Sequence, residues 1–199
     1  MVEFSQISRD SVPASLGWMT RWPGTALAFL WGFAEGTLFF ILPDVVLSFT
    51  AMFRPRRALL QMAAIVAGAV LAGGVMFQWS AHGGGARTAV ALVPAVSPAM
   101  FERADRDFNQ YGVWGASLGP LRGIPYKVYA VEAPAHSTLW PFLLVTIPAR
   151  LWRLVAVWLG FAGAGALLRK LGRAGLGPAL HAVFWIVTYA IYWTTVKQP

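Results

Sequence analysis

The sequence predicts an all-α integral membrane protein with about three spanning helices and two re-entrant helical hairpins of opposite orientation, an inverted-repeat arrangement. Three observations lead there. First, 57% of the 199 residues are hydrophobic and only 12% are charged, with a mean hydropathy of +0.58, whereas a soluble domain carries roughly 25% charged residues. Eight acidic and sixteen basic side chains cannot cover a soluble fold of this size. Second, several uncharged stretches are long enough to cross a hydrocarbon core of about 30 Å at about 1.5 Å per residue. Third, the remaining apolar stretches are interrupted by Pro, Gly and charge, which a lipid-facing helix does not tolerate.

Residues 1–23 read as a cytoplasmic or interfacial segment, and 24–199 as one membrane domain. Met1–Asp10 carries Glu3 and Asp10, so it does not resemble a signal peptide, and the chain is expected to insert without cleavage. Residues 24–53 form the first hairpin, broken by Glu35, Gly36, Pro43 and Asp44. Residues 57–79 hold no charge after Arg57 and form a spanning helix. Residues 81–111 are a polar connection whose end, with Glu102, Arg103, Asp105, Arg106 and Asp107, suits a solvated or interfacial helix. Residues 112–133 are the second hairpin, broken by Pro120, Arg122, Gly123, Pro125, Lys127 and Glu132. Residues 139–168 span despite Arg150 and Arg153, and 178–196 are a clean apolar span. The small-residue runs 68–74 and 160–165 suggest close helix packing, and His181 suits a packed or hydrogen-bonded position.

Charge placement gives the topology. Arg54, Arg56 and Arg57 form one basic group and Arg169, Lys170 and Arg173 another. If both hairpins return to the side they left, both groups fall on the cytoplasmic face, as the positive-inside rule requires. The hairpins then enter from opposite faces, the arrangement that inverted-repeat transporters place around a midplane site. Two fully crossing helix pairs would satisfy the same parity. Charge scattered between apolar stretches argues against nucleic acid as a partner. The chain has no cysteine, and its three His are far apart, so no metal or cofactor site is expected. Without a nucleophile–base pair, an enzyme is not expected either.

Five charges remain inside apolar segments. Glu35, Asp44, Lys127, Arg150 and Arg153 would together cost on the order of 10 kcal/mol if they faced lipid, so they are expected to face one another or a water-filled cavity. Each has two readings. Glu35 is a proton-titrating carboxyl or a fixed partner for an arginine. Asp44 is a helix N-cap or a proton or substrate group. Arg150 and Arg153, at i and i+3 on one helix face, clamp an anionic headgroup or pair with Glu35 and Glu132. Lys127 binds substrate or snorkels to the interface.

The stretch Gly119-Pro-Leu-Arg-Gly-Ile-Pro-Tyr-Lys-Val-Tyr-Ala130 resembles the second hairpin of the DedA family (the VTT or SNARE-associated Golgi protein superfamily), and in particular its small YqaA-like bacterial branch. Glu35 with Leu42-Pro43-Asp44 is similar to that family's acidic first hairpin. Pro148-Ala149-Arg150 with Arg153 is similar to its arginine-bearing helix. The resemblance covers most of the chain. It implies re-entrant hairpins and lipid handling: a multi-pass protein of the bacterial inner membrane that flips or scrambles an anionic lipid, undecaprenyl phosphate or a glycerophospholipid, with proton coupling. By that resemblance Glu35 and Asp44 would carry the proton, while Arg122, Arg150 and Arg153 would meet the lipid phosphate; Lys127, standing where the family has an arginine one residue further on, is a further candidate for that phosphate. Membrane lipids are the expected partners, with a homo-oligomer allowed. A non-transporting scaffold or envelope-integrity factor, or a small-solute or ion transporter, is the alternative.

Overall fold

A computed structural model describes residues 12, 14–39, 44–94 and 96–195. Those residues are all-helical, with no strand among them. Three helices, Pro55–Ala81, Leu139–Lys170 and Ala174–Thr194, are long and apolar enough to cross a membrane. At about 1.5 Å per residue their 27, 32 and 21 residues reach roughly 40, 48 and 32 Å, against a hydrocarbon core of about 30 Å. Their exposed faces carry Leu59, Leu60, Leu71, Leu159, Leu167, Val183, Phe184 and Ile186, apolar groups that lipid, not water, would solvate.

The described residues form helices in the following order. A 3-10 helix, Ala14–Thr20, leads into α1 (Trp22–Gly36), α2 (Asp44–Phe53) and α3 (Pro55–Ala81). The polar connection folds as α4 (Ala86–Ala91) and α5 (Pro98–Tyr111). The second broken segment holds a 3-10 turn (Gly112–Leu118), α6 (Gly119–Arg122) and α7 (Tyr126–Glu132), and α8 (Leu139–Lys170) and α9 (Gly177–Thr195) complete the chain. Neither broken segment makes a spanning helix. In the first, α1 and α2 have 15 and 10 residues, roughly 22 and 15 Å long; the break predicted at Pro43 lies outside the described residues. In the second, Gly123 closes α6 at φ +67°, a left-handed cap that glycine adopts without strain. The Ile124 N–H returns to the Gly119 carbonyl at 3.0 Å, and extended Pro125 starts α7 afresh.

The described parts of Met1–Ala28, Pro43–Ala64 and Leu154–Lys197 pack as one compact unit, and those of Phe29–Leu42 and Ile65–Arg153 as a second. In the first, Phe49, Met52 and Phe53 of α2 are buried against Leu16, Met19, Phe161 and Leu168. His181 of α9 accepts or donates a 2.9 Å hydrogen bond with Ser48 Oγ and is ringed by Phe49, Phe161 and Trp185, the packed histidine expected. In the second unit, α5, α7 and α8 enclose a core that includes Phe101, Phe108, Tyr126, Tyr129 and Phe142. Here α1 and α3 approach closely at Gly68, where a Cβ would lie 2.2 Å from the Phe29 carbonyl oxygen. The small-residue runs are thus close contacts only in part: Gly68 and Gly165 pack against backbone, whereas Gly160 and Gly163 have open space beside them.

Candidate functional site

The site lies in the second unit and starts from a misplaced charge. Glu35 stands in the last turn of α1, where the helix dipole disfavours a carboxylate, and it is buried. Both effects demand a cation. Arg150 of α8 supplies it: Arg150 Nη2 donates to Glu35 Oε2 at 2.5 Å, with each side chain only 6% exposed. At this depth, removing Glu35 would leave Arg150 without its anion, and removing Arg150 would take from Glu35 the cation bonded to it, so the pair is held mutually.

Arg150 is placed by spacing on α8. Phe142, Thr146 and Arg150 recur at i, i+4 and i+8 and therefore share a face. The Thr146 hydroxyl donates to the Phe142 carbonyl at 2.9 Å, and its oxygen bonds the Tyr126 hydroxyl at 2.7 Å. The Tyr126 ring stacks on Phe142 at 5.8 Å and lies under the Arg150 guanidinium, 4.4 Å from ring centroid to Cζ. This cation–π contact and the carboxylate fix the guanidinium from two sides. Gly73 of α3 makes room for the tyrosine, since a Cβ there would fall 2.1 Å from its hydroxyl.

Next to Tyr126, the buried Lys127 donates from Nζ to the Phe39 carbonyl at 2.6 Å. It thereby ties α7 to the residues that follow α1. Lys127 and half-buried Arg153 both act electrostatically on the Glu35 carboxylate. One carboxylate thus serves three cations. Arg150 Nε is buried and has no hydrogen-bond partner among the described residues.

Four predicted residues, Glu35, Lys127, Arg150 and Arg153, therefore converge. Arg150 pairs with Glu35 and not with Glu132, which faces Arg87 at 3.3 Å. The other two predicted residues stand elsewhere. Asp44 is buried as the first residue of α2, where the helix dipole favours its charge, and it belongs to the first unit. Arg122 pairs with Asp107 of α5. The Tyr129 hydroxyl also donates to Asp107, at 2.6 Å, so the second broken segment is fastened to the amphipathic helix by a buried carboxylate. The charge pattern had grouped Asp107 with its solvated neighbours. It lies instead next to the apolar stripe of Phe101, Ala104 and Phe108, a position that the i, i+3, i+7 spacing made readable.

Sequence reasoning passed over Tyr126, Thr146 and Asp107, which orient the predicted charges; the phenylalanine–threonine–arginine spacing on α8 was the available signal for Thr146. Among the described residues, no group of three or more His, Asp or Glu is placed to hold a metal ion. Comparison with protein-family models, curated proteins and solved structures finds no match to this chain. The class defined by fold and site is therefore an all-helical protein with three helices suited to a membrane and a buried, cation-rich charge cluster beside a broken helical segment.

Proposed function

We propose that this is a multi-pass inner-membrane transporter of the DedA type that moves an anionic lipid, undecaprenyl phosphate or a glycerophospholipid, between leaflets with proton coupling. The observation that carries the reading is the cluster of one carboxylate and three cations with a spare Arg150 N–H. Intramembrane charges that are neither lipid-facing nor balanced mark substrate and proton pathways, and an excess of buried positive charge suits a phosphate. The short, broken elements at 22–53 and 112–135 support two re-entrant hairpins of opposite orientation, since irregular backbone at membrane depth belongs beside a cavity.

In this reading Glu35 and a lipid phosphate compete for the same guanidinium. Protonating Glu35 removes the anion that occupies Arg150, which then takes a phosphate oxygen, with Lys127 and Arg153 adding charge. Loss of the proton restores the ion pair and releases the cargo unchanged. Tyr126 keeps the guanidinium in place through both states. Asp44 is a second proton carrier and Arg122 a point of first contact only if they communicate with this cluster.

Purified protein in liposomes tests the proposal. Glu35→Gln and Arg150→Ala should each reduce transbilayer movement of a labelled anionic lipid by an order of magnitude or more, and wild-type rates in both would end the reading. Movement of a small solute without lipid would favour an ion or solute transporter. The Glu35–Arg150 contact also favours a second reading, a non-transporting scaffold in which the charges only hold helices together. That reading predicts that a Glu35→Arg/Arg150→Glu double variant keeps its cellular function.

A further inference from the structure

The two basic groups that flank the spanning helices meet in the first unit. Arg169, in the last turn of α8, donates from Nη1 to the Met52 carbonyl at 2.8 Å, across 117 residues of sequence. Gly165 packs against that same carbonyl, and Gly177 at the start of α9 packs against the Phe53 ring. The corner between α2 and α3 is thereby pinned to the end of α8 and the start of α9. Arg54 lies in this corner, and Arg56 and Arg57 follow it in the first turn of α3. Lys170 and Arg173 follow Arg169.

None of these six cations forms an ion pair with a described carboxylate: the five ion pairs among the described residues involve other side chains. Arg169 is occupied by the helix-end carbonyl. Arg56 and Arg57 stand at the positive end of α3, where the helix dipole disfavours cations. Arg56, Lys170 and Arg173 are exposed. Between and beyond them Leu171 and Leu176 are 58% and 50% exposed. Cations interleaved with exposed leucines suit the boundary between headgroups and acyl chains, whereas a nucleic-acid face would set its cations among polar and stacking groups.

We propose that this corner is a binding surface for anionic phospholipid headgroups in the leaflet that it faces, separate from the Glu35–Arg150 cluster. Positive-inside bias orients a chain during insertion and needs no lasting partner. A fixed assembly of cations from two distant segments, with no ion-pair partner among the described carboxylates, goes further and predicts lipid that stays bound.

Native mass spectrometry of the full chain in a zwitterionic detergent, titrated with phosphatidylglycerol or phosphatidylcholine, reads this directly. The wild type should retain phosphatidylglycerol preferentially. The Arg56→Gln/Lys170→Gln/Arg173→Gln variant, which leaves the Arg169 bond intact, should lose roughly 10- to 100-fold of that preference, given the attraction that each juxtamembrane cation adds. An Arg103→Gln/Arg106→Gln control, neutralising exposed cations of α5, should keep it. Equal retention of the two lipids, an equal loss in the control, or retained RNA in place of lipid would each overturn the proposal. Because the variant spares Glu35 and Arg150, its lipid flux separates this surface from the transport site.

Discussion

The two compact units handle charge in opposite ways. In the second, the described carboxylates Glu35, Glu102, Asp105, Asp107 and Glu132 each face a cation or histidine, and the five ion pairs among the described residues lie there. In the first, Asp44 is the lone described carboxylate among Arg21, Arg54, Arg56, Arg57, Arg169, Lys170 and Arg173. Several side-chain donors of the first unit go to backbone carbonyls. Gln61 Nε2 bonds the Met19 oxygen at 2.7 Å, Trp158 Nε1 the Pro55 oxygen at 2.9 Å, and Arg169 the Met52 oxygen. In the second unit every described carboxylate is matched within the chain, whereas in the first the described cations far outnumber the described carboxylate. Buried charge must be matched locally because desolvation is expensive; peripheral charge need not be, because headgroups and water solvate it.

That contrast predicts a graded response to substitution. The largest effect is expected at Arg150→Ala, which takes from buried Glu35 its hydrogen-bonded cation and should cost about 3–5 kcal/mol. A Glu35→Gln/Arg150→Gln double variant should recover part of it. Unfolding of the three proteins in one detergent checks this, and a wild-type midpoint for Arg150→Ala would mean that the pair is open to solvent. Next comes Asp107→Ala. It leaves the Tyr129 hydroxyl and Arg122 without their acceptor and should cost about 2–3 kcal/mol; the sequence-based view of a solvated carboxylate predicts almost nothing.

Gly68→Ala should cost about 1–3 kcal/mol by forcing α1 from α3, while Gly163→Ala, with open space, should be neutral or gain up to about 1 kcal/mol of helix stability. Equal effects would erase the distinction drawn between the two small-residue runs. Ser48→Ala, in the first unit, removes the shared partner of His181 and Trp185 and should cost about 1–2 kcal/mol. The smallest change is expected for exposed charges in either unit. Arg106→Gln, which breaks a 3.9 Å exposed pair with Glu102, should stay within about 0.5 kcal/mol. Arg56→Gln should match it in detergent and differ only when anionic lipid is present.

Much of this organisation was legible in one dimension. Apolar length alone determined that 57–79, 139–168 and 178–196 would be long helices, because an uncharged stretch of that size has few other ways to satisfy its backbone in an apolar medium. Pro, Gly and charge at fixed places determined that 24–53 and 112–133 would not be, and the cost of burying charge singled out Glu35, Asp44, Lys127, Arg150 and Arg153 as interior, of which all but Asp44 converge in the second unit. Partner choice was decided only by tertiary structure. Sequence spacing cannot say that Arg150 meets Glu35 and not Glu132, that Arg122 is held by Asp107, or that Tyr126 lies beneath a guanidinium. Those contacts join residues 15 to 115 positions apart, and they depend on which helix faces meet. Hydropathy sets how much of a chain is buried; the packing of side chains sets which buried groups share a pocket.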